Sequence, residues 1–278
     1  MLEKVSKLRA FANTDPEKAW GKDGLQAPPS WPSHGEIEFR NYSMRYTPDH
    51  DLALKDISFT IKSGERIGIV GRTGAGKSSL TRALFRLVEG EGGSILIDGI
   101  DIATLRADSL RPNITIIPQD ATLFDDSVRA NLDPLKQFSI EDMWAALIKA
   151  NMDGDSSALD DWGLSYWVGG EALTSGQRQL FSLARALMRK RKILVLDEAT
   201  ADVDLKTDRI IHDVIHKEFA GCTVLTIAHR LETVMNSDRI IVMDHGSVAE
   251  FDTPANLLAM GGLFAELVKS NNFGDVYN

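Results

Sequence analysis

Gly71-Arg72-Thr73-Gly74-Ala75-Gly76-Lys77-Ser78 fits the pattern G-x-x-x-x-G-K-[ST] and sits between the apolar run Arg66 to Val70 and an amphipathic stretch. That setting, strand before and helix after, is where such a loop can wrap an anion. The glycines let backbone N–H groups close around phosphates at a helix N-terminus, Lys77 reaches the β and γ phosphates of a nucleotide, and the Ser78 hydroxyl suits Mg2+. Arg72, Thr73 and Ala75 complete the loop and Ser79 follows it, so residues 71 to 79 together form the candidate ATP-binding segment. A glycine-rich turn of no chemical consequence is the competing reading; at ordinary residue frequencies a chance match in a chain this long arises roughly one time in a hundred.

Further along, Lys192-Ile-Leu-Val-Leu196-Asp197-Glu198 is an apolar strand ending in two adjacent acids. Such a pair divides the work at a phosphate: Asp197 holds Mg2+ alongside Ser78, and Glu198 polarises the attacking water as general base. Solvated charges at a strand end give the same pattern, so the pair takes its meaning from the phosphate loop.

Leu173-Thr174-Ser175-Gly176-Gln177-Arg178-Gln179 precedes that strand and, alone, is an N-capped helix start. Beside the other two motifs it resembles the signature of the ABC family, whose usual form is L-S-G-G-Q. The resemblance implies two domains meeting head to tail, each signature covering the ATP held by the other. Thr174, Ser175, Gly176 and Gln177 then present a hydroxyl, N–H groups and a helix dipole to a γ-phosphate in trans. Thr174 and Ser175 stand in place of the usual Ser and first Gly.

The same resemblance implies further roles. Gln119, in Ile116-Ile-Pro-Gln119-Asp, is similar to the Q-loop residue that touches Mg2+ or the attacking water. Asp204 is similar to the D-loop residue that meets the opposite domain. His229, 31 residues after Glu198, is similar to the switch histidine at the γ-phosphate. Tyr46, in Tyr42-Ser-Met-Arg-Tyr46, resembles the aromatic residue that stacks on adenine, a contact worth about 1 to 3 kcal/mol per base. The likeness covers about residues 36 to 270 and is closest to the second nucleotide-binding domain of the multidrug-resistance-associated (C) subfamily. Gly68 to Leu80, Ile193 to Thr200 and Leu225 to Leu231 carry that narrower match, with the linker Trp20 through Pro32 in front. It implies ATP and Mg2+ as cofactors. As partners it implies a second, heterologous nucleotide-binding domain and the transmembrane domains of an exporter, with this chain on the cytoplasmic face of a membrane.

Patterning supplies the architecture. Ile37 and Phe39 alternate with polar residues, Leu54 to Ile61 continues as strand, and Ser94 to Ile97 and Ile114 to Ile117 follow. Residues 127 to 187 have helical periodicity over Ile140 to Ala150 and Gly176 to Leu187. Ile193 to Leu196, Val224 to Ile227 and Ile240 to Met243 are short apolar runs, as parallel strands covered on both faces require. The expected fold is α/β. It comprises a P-loop NTPase core with a mostly parallel sheet, an antiparallel β subdomain at the N-terminal side and an inserted helical signature subdomain at about 121 to 187. Residues 1 to 35 read as a helix and linker following a membrane domain that the chain lacks, and 271 to 278 as a tail.

Bulk properties narrow the class. The 278 residues suffice for one large domain, with 43% hydrophobic and 26% charged residues. A net charge of -9 argues against a nucleic-acid partner, which wants clustered Lys and Arg. The basic run Arg189 to Lys192 reads as a solvated turn, and the single cysteine, Cys222, fits a reducing compartment. No stretch is apolar for the roughly 18 to 20 residues of a membrane span, and the N-terminus has no signal pattern. His212-Asp-Val-Ile-His216 superficially resembles a zinc helix, but Asp213 is short and no third ligand is apparent. Trp162, Tyr166 and Trp167 read as contacts within or between domains. Among ABC functions, a DNA-acting ATPase needs a long coiled coil between loop and signature, and a ribosomal one a second phosphate loop; neither is present. Exporter motor is the expected function, with channel regulation the remaining alternative.

Overall fold

The computed structural model describes residues 24–152, 163–168, 173–199, 203–228 and 230–274, the last four as backbone. The strands in chain order are β1 (Ile37–Met44), β2 (Leu54–Ile61), β3 (Arg66–Val70), β4 (Gly92–Ile97), β5 (Ile100–Asp101), β6 (Thr115–Ile117), β7 (Ile193–Asp197), β8 (Thr223–Ile227), β9 (Arg239–Asp244) and β10 (Ser247–Asp252). Two sheets result. One is antiparallel, in the order β2-β1-β4-β5; the other runs β10-β9-β3-β8-β7-β6, parallel except for the edge strand β10.

Burial separates the sheets as the sequence does. β1 and β2 alternate between core and surface, because one face of that sheet meets solvent. β3, β7, β8 and β9 are buried almost end to end, because helices and the first sheet cover both faces. Ile37, Phe39, Ile57, Ile67, Ile69, Leu84, Val195 and Ile227 belong to one apolar core that joins the two sheets.

The helices are α1 (Lys77–Leu84), α2 (Ala107–Leu110), α3 (Val128–Leu132), α4 (Ile140–Lys149), α5 (Ser175–Met188), α6 (Leu205–Glu218), α7 (Pro254–Met260) and α8 (Leu263–Gly274). Ser139 and Asp142 form a capping box on α4, and Thr174 and Gln177 form one on α5, which fixes where both helices begin. Met143, Ala146 and Leu147 of α4 share a second core with Phe181, Leu183 and Ala184 of α5 and with Leu194 and Leu196 of β7. The helical insert is therefore built onto one face of the parallel sheet. A third core, around Ile240, Val242, Leu257 and Phe264, fastens α7 and α8 under β9.

Three features add to the sequence reading. α8 runs on to Gly274, with Phe264 near its start buried in the third core. The short helix α2 had no periodic signal, being a single turn. The linker read up to residue 35 is tied to the domain: the Ala27 N–H donates to Ser109 Oγ at 2.7 Å, and Trp31 is buried with its Nε1 donating to the Ile97 carbonyl at 3.0 Å. The Asp98 carboxylate there accepts from the backbone N–H groups of Ser33, His34, Gly35 and Glu36. Residues 1–23, including the expected N-terminal helix, lie outside the described residues.

Candidate functional site

The phosphate loop joins the C-terminal end of β3 to α1. Its glycines are required by space: at Gly71, with φ of 151°, a Cβ would stand 2.4 Å from the Met243 carbonyl oxygen. Gly76 precedes α1 in a left-handed conformation and provides no side-chain cap, so the first N–H groups of the helix are not claimed by one. That end is suited to an anion. Lys77 is 6% exposed, and its Nζ donates to the carbonyls of Gly71 at 2.8 Å and Arg72 at 3.3 Å. Burial lowers its pKa, and the charge of Glu198 opposes that effect. The lysine of the loop and the acid at the end of β7 thus share one electrostatic environment.

Asp197 closes β7, in register with Ile227 of β8. Burial, and then the adjacent Glu198, push its pKa up, while Arg82 pulls it down. Glu198 turns the chain off the strand with φ of 50°, and its N–H donates to the Ile227 carbonyl at 3.0 Å. A non-glycine residue held in this region costs about 1 to 3 kcal/mol, and such strain gathers at functional sites.

Tyr46 lies beside α1. Its hydroxyl is 2.8 Å from Ser79 Oγ, accepts from Arg82 Nη1 at 2.8 Å, and the guanidinium stands 5.4 Å from the ring centroid. The ring is 41% exposed at the edge of the phosphate loop, where a base can be stacked. If it holds adenine, Tyr46→Trp preserves ATP affinity and Tyr46→Ala weakens it by about 1 to 3 kcal/mol in calorimetry. Equal affinities across the three proteins would place the base elsewhere.

At the signature, Thr174 Oγ1 accepts from the Gln177 N–H at 3.2 Å, and Gln177 Oε1 accepts from the Thr174 N–H at 3.0 Å. Leu173 packs against the helical core. A Cβ on Gly176 would meet Thr207 and Asp204, so the signature borders the start of α6. Asp204 caps that helix, accepting from the N–H groups of Lys206 and Thr207 at 3.0 Å each. Gln119 is exposed, and its carbonyl accepts from Gln179 Nε2. His229 and Trp162 lie outside the described residues. Trp167 makes a local contact, donating to Asp125 at 2.7 Å. Among the described residues no group of three or more His, Cys, Asp or Glu side chains is placed to hold a metal.

Sequence reasoning missed Arg82, which donates to the Tyr46 hydroxyl and whose charge lowers the pKa of Asp197, and Gln179 and Arg185 of α5, whose side chains hold the loop after Gln119. Gln179 belongs to the quoted signature segment, and its burial at 4% was the missing information.

A phosphate loop at the end of β3, an acid pair at the end of β7 and a helical insert define a P-loop nucleoside triphosphatase. The chain belongs to the ABC transporter family, whose profile matches residues 54–201. It is 50% identical over 273 residues to ATP-binding cassette sub-family C member 2 of Rattus norvegicus, covering 98% of this chain and 18% of that protein. To sub-family C member 3 of Homo sapiens it is 51% identical over 262 residues, covering 94% and 17%. A structure of a bacterial Atm1-family ABC exporter with ATP bound superposes with a TM-score of 0.85 at 31% identity, over 98% of this chain and 47% of that one. The chain therefore spans under a fifth of the curated relatives it matches, and it corresponds to an ABC ATPase domain of the C-subfamily kind. No helix among the described residues is long and apolar enough to cross a membrane.

Proposed function

We propose that this chain is the hydrolytic nucleotide-binding half of an ABC exporter, working on the cytoplasmic face of a membrane with transmembrane domains and a heterologous second nucleotide-binding domain. Residues 36 to 270 form the ATPase domain and about 121 to 187 its signature subdomain. The observation that carries this reading is the placement of the phosphate loop after β3 and of Asp197 and Glu198 at the end of β7, both at the C-terminal ends of strands in one parallel sheet, where such sheets bind ligands. Residues 71 to 79 cradle the phosphates, Lys77 neutralises the β and γ oxygens, and Tyr46 takes the base. Glu198 accepts a proton from the attacking water, and Gln119 and His229 complete the surroundings of the γ-phosphate.

Ser78, Asp197 and Gln119 supply a hydroxyl, a carboxylate and an amide oxygen, a hard donor set of the kind that suits Mg2+. Burial, and then the adjacent Glu198, raise the pKa of Asp197, an environment in which a bound cation would favour the carboxylate. Mg2+, when bound, offsets charge on the β and γ phosphates.

The signature acts on the partner's ATP. Thr174 is β-branched and Ser175 has a side chain where the usual glycine allows close approach, so both hinder the fit around that γ-phosphate. The pair is then asymmetric: brisk hydrolysis at Glu198 needs the partner's own signature. The chain alone binds Mg-ATP as a monomer with low ATPase activity, which rises when the other half of the transporter is added. ATPase activity against protein concentration tests this, and a steep second-order rise to brisk turnover for the chain alone defeats the asymmetric reading.

A further inference from the structure

α5 carries the signature at its N-terminus, and two of its side chains hold the irregular loop that starts at Gln119. Gln179 is buried, and its Nε2 donates to the carbonyls of Pro118 at 3.1 Å and Gln119 at 2.5 Å. Further along the helix, Arg185 donates from Nη1 to the Thr122 carbonyl at 2.8 Å and from Nε to the Asn131 carbonyl at 2.8 Å. Its guanidinium stands 5.2 Å from the Phe181 ring, which braces it on the same helix. Asn131, 1% exposed, donates from Nδ2 to the carbonyls of Phe124 and Ser127 and accepts the Phe124 N–H.

Within residues 118 to 127 the carbonyls of Pro118, Gln119, Thr122, Phe124 and Ser127 thus accept from side-chain donors, and the ties at both ends of 118 to 122 come from one helix. A regular helix moves as a rigid rod. Gln179 Oε1 is buried with no hydrogen-bond partner among the described residues, an arrangement disfavoured in itself. The amide is held by its donor end, at the two carbonyls that flank the Gln119 backbone.

We propose that Gln179 is a positioning residue for Gln119: it clamps the start of this loop to the signature helix, so that movement of Gln119 towards nucleotide and movement of the signature are one displacement. Arg185 fixes the far end of the same loop. The proposal rests on the roles given above to Gln119 and the signature, and it adds the residue that joins them.

A monomer makes the test clean, because the signature does not cover its own ATP; any response there to Mg-ATP arrives through the protein. Hydrogen exchange of the 278-residue chain is compared with and without Mg-ATP. In the unsubstituted protein exchange changes together over residues 71 to 80, 118 to 127 and 173 to 180. In Gln179→Met, which keeps length and loses the donor, the response of 71 to 80 stays and that of 173 to 180 shrinks by about two- to thirty-fold. Gln179→Glu loses the coupling while its carboxylate is ionised, since charge then faces two carbonyls. It regains coupling as pH falls and the protonated acid again donates, a return that a purely structural role does not give. A signature response unchanged in both variants, or absent from the unsubstituted protein while 71 to 80 responds, overturns the clamp alone. No response at 71 to 80 overturns the nucleotide site and the clamp with it.

Discussion

Glu198→Gln keeps ATP binding and lowers turnover by about 10² to 10⁴ in the complete pair, the range for losing a positioned general base. The substitution is nearly isosteric and leaves the phosphate loop, Lys77 and Asp197 in place. It removes only the ability to take a proton from water. The strained backbone at φ of 50° is conserved by the change, since both side chains share the same backbone cost. Removing the negative charge also alters its neighbours: Asp197 loses a repulsive partner and Lys77 an attractive one. Nucleotide affinity is therefore held or raised while chemistry slows, a split seen by measuring calorimetric affinity and single-turnover hydrolysis on the same preparation. Near-normal hydrolysis by this variant, in a pair that is active before mutation, removes Glu198 from the mechanism.

The motifs were legible because each depends on local constraints that sequence displays. A phosphate loop needs glycine at close approaches such as Gly71 against Met243, and a buried parallel strand needs an unbroken apolar run such as Ile193 to Leu196. Strand β2 shows the same legibility, with bounds that coincide with the pattern read from Leu54 to Ile61. What stayed hidden depends on chain segments far apart. Nothing in the local sequence says that Gln179 reaches the carbonyls of Pro118 and Gln119, some sixty residues earlier, or that Arg82 donates to the Tyr46 hydroxyl. The anchored linker is the same case: Pro-rich segments read as breaks, and only the burial of Trp31 against the first sheet turns this one into part of the fold.

Lys77 gives the second large effect, and its consequences separate binding from folding. Lys77→Ala is expected to lose most ATP affinity, because in the proposed site its buried ammonium faces the β and γ phosphates as a desolvated charge partner. Truncating one such partner typically costs about 2 to 5 kcal/mol, or roughly thirty-fold to several thousand-fold in Kd. Without nucleotide the same ammonium is held by two carbonyls of its own loop, and burial lowers its pKa. A lysine whose folded pKa is depressed opposes folding while it is charged, at neutral pH and below, and that opposition fades as pH rises to the ordinary lysine value. Lys77→Met, which keeps most of the stem and drops the charge, should therefore leave the nucleotide-free protein at least as stable as the parent at neutral pH. Thermal melts then report binding cleanly. With ATP at about 100 times the parent's Kd, ligand binding stabilises the parent by about 2.7 kcal/mol, whereas a variant whose Kd has risen 100-fold gains only about 0.4 kcal/mol. Calorimetry on Lys77→Ala and melts on Lys77→Met should agree, and unchanged affinity in both would mean that the phosphates are held somewhere other than this loop.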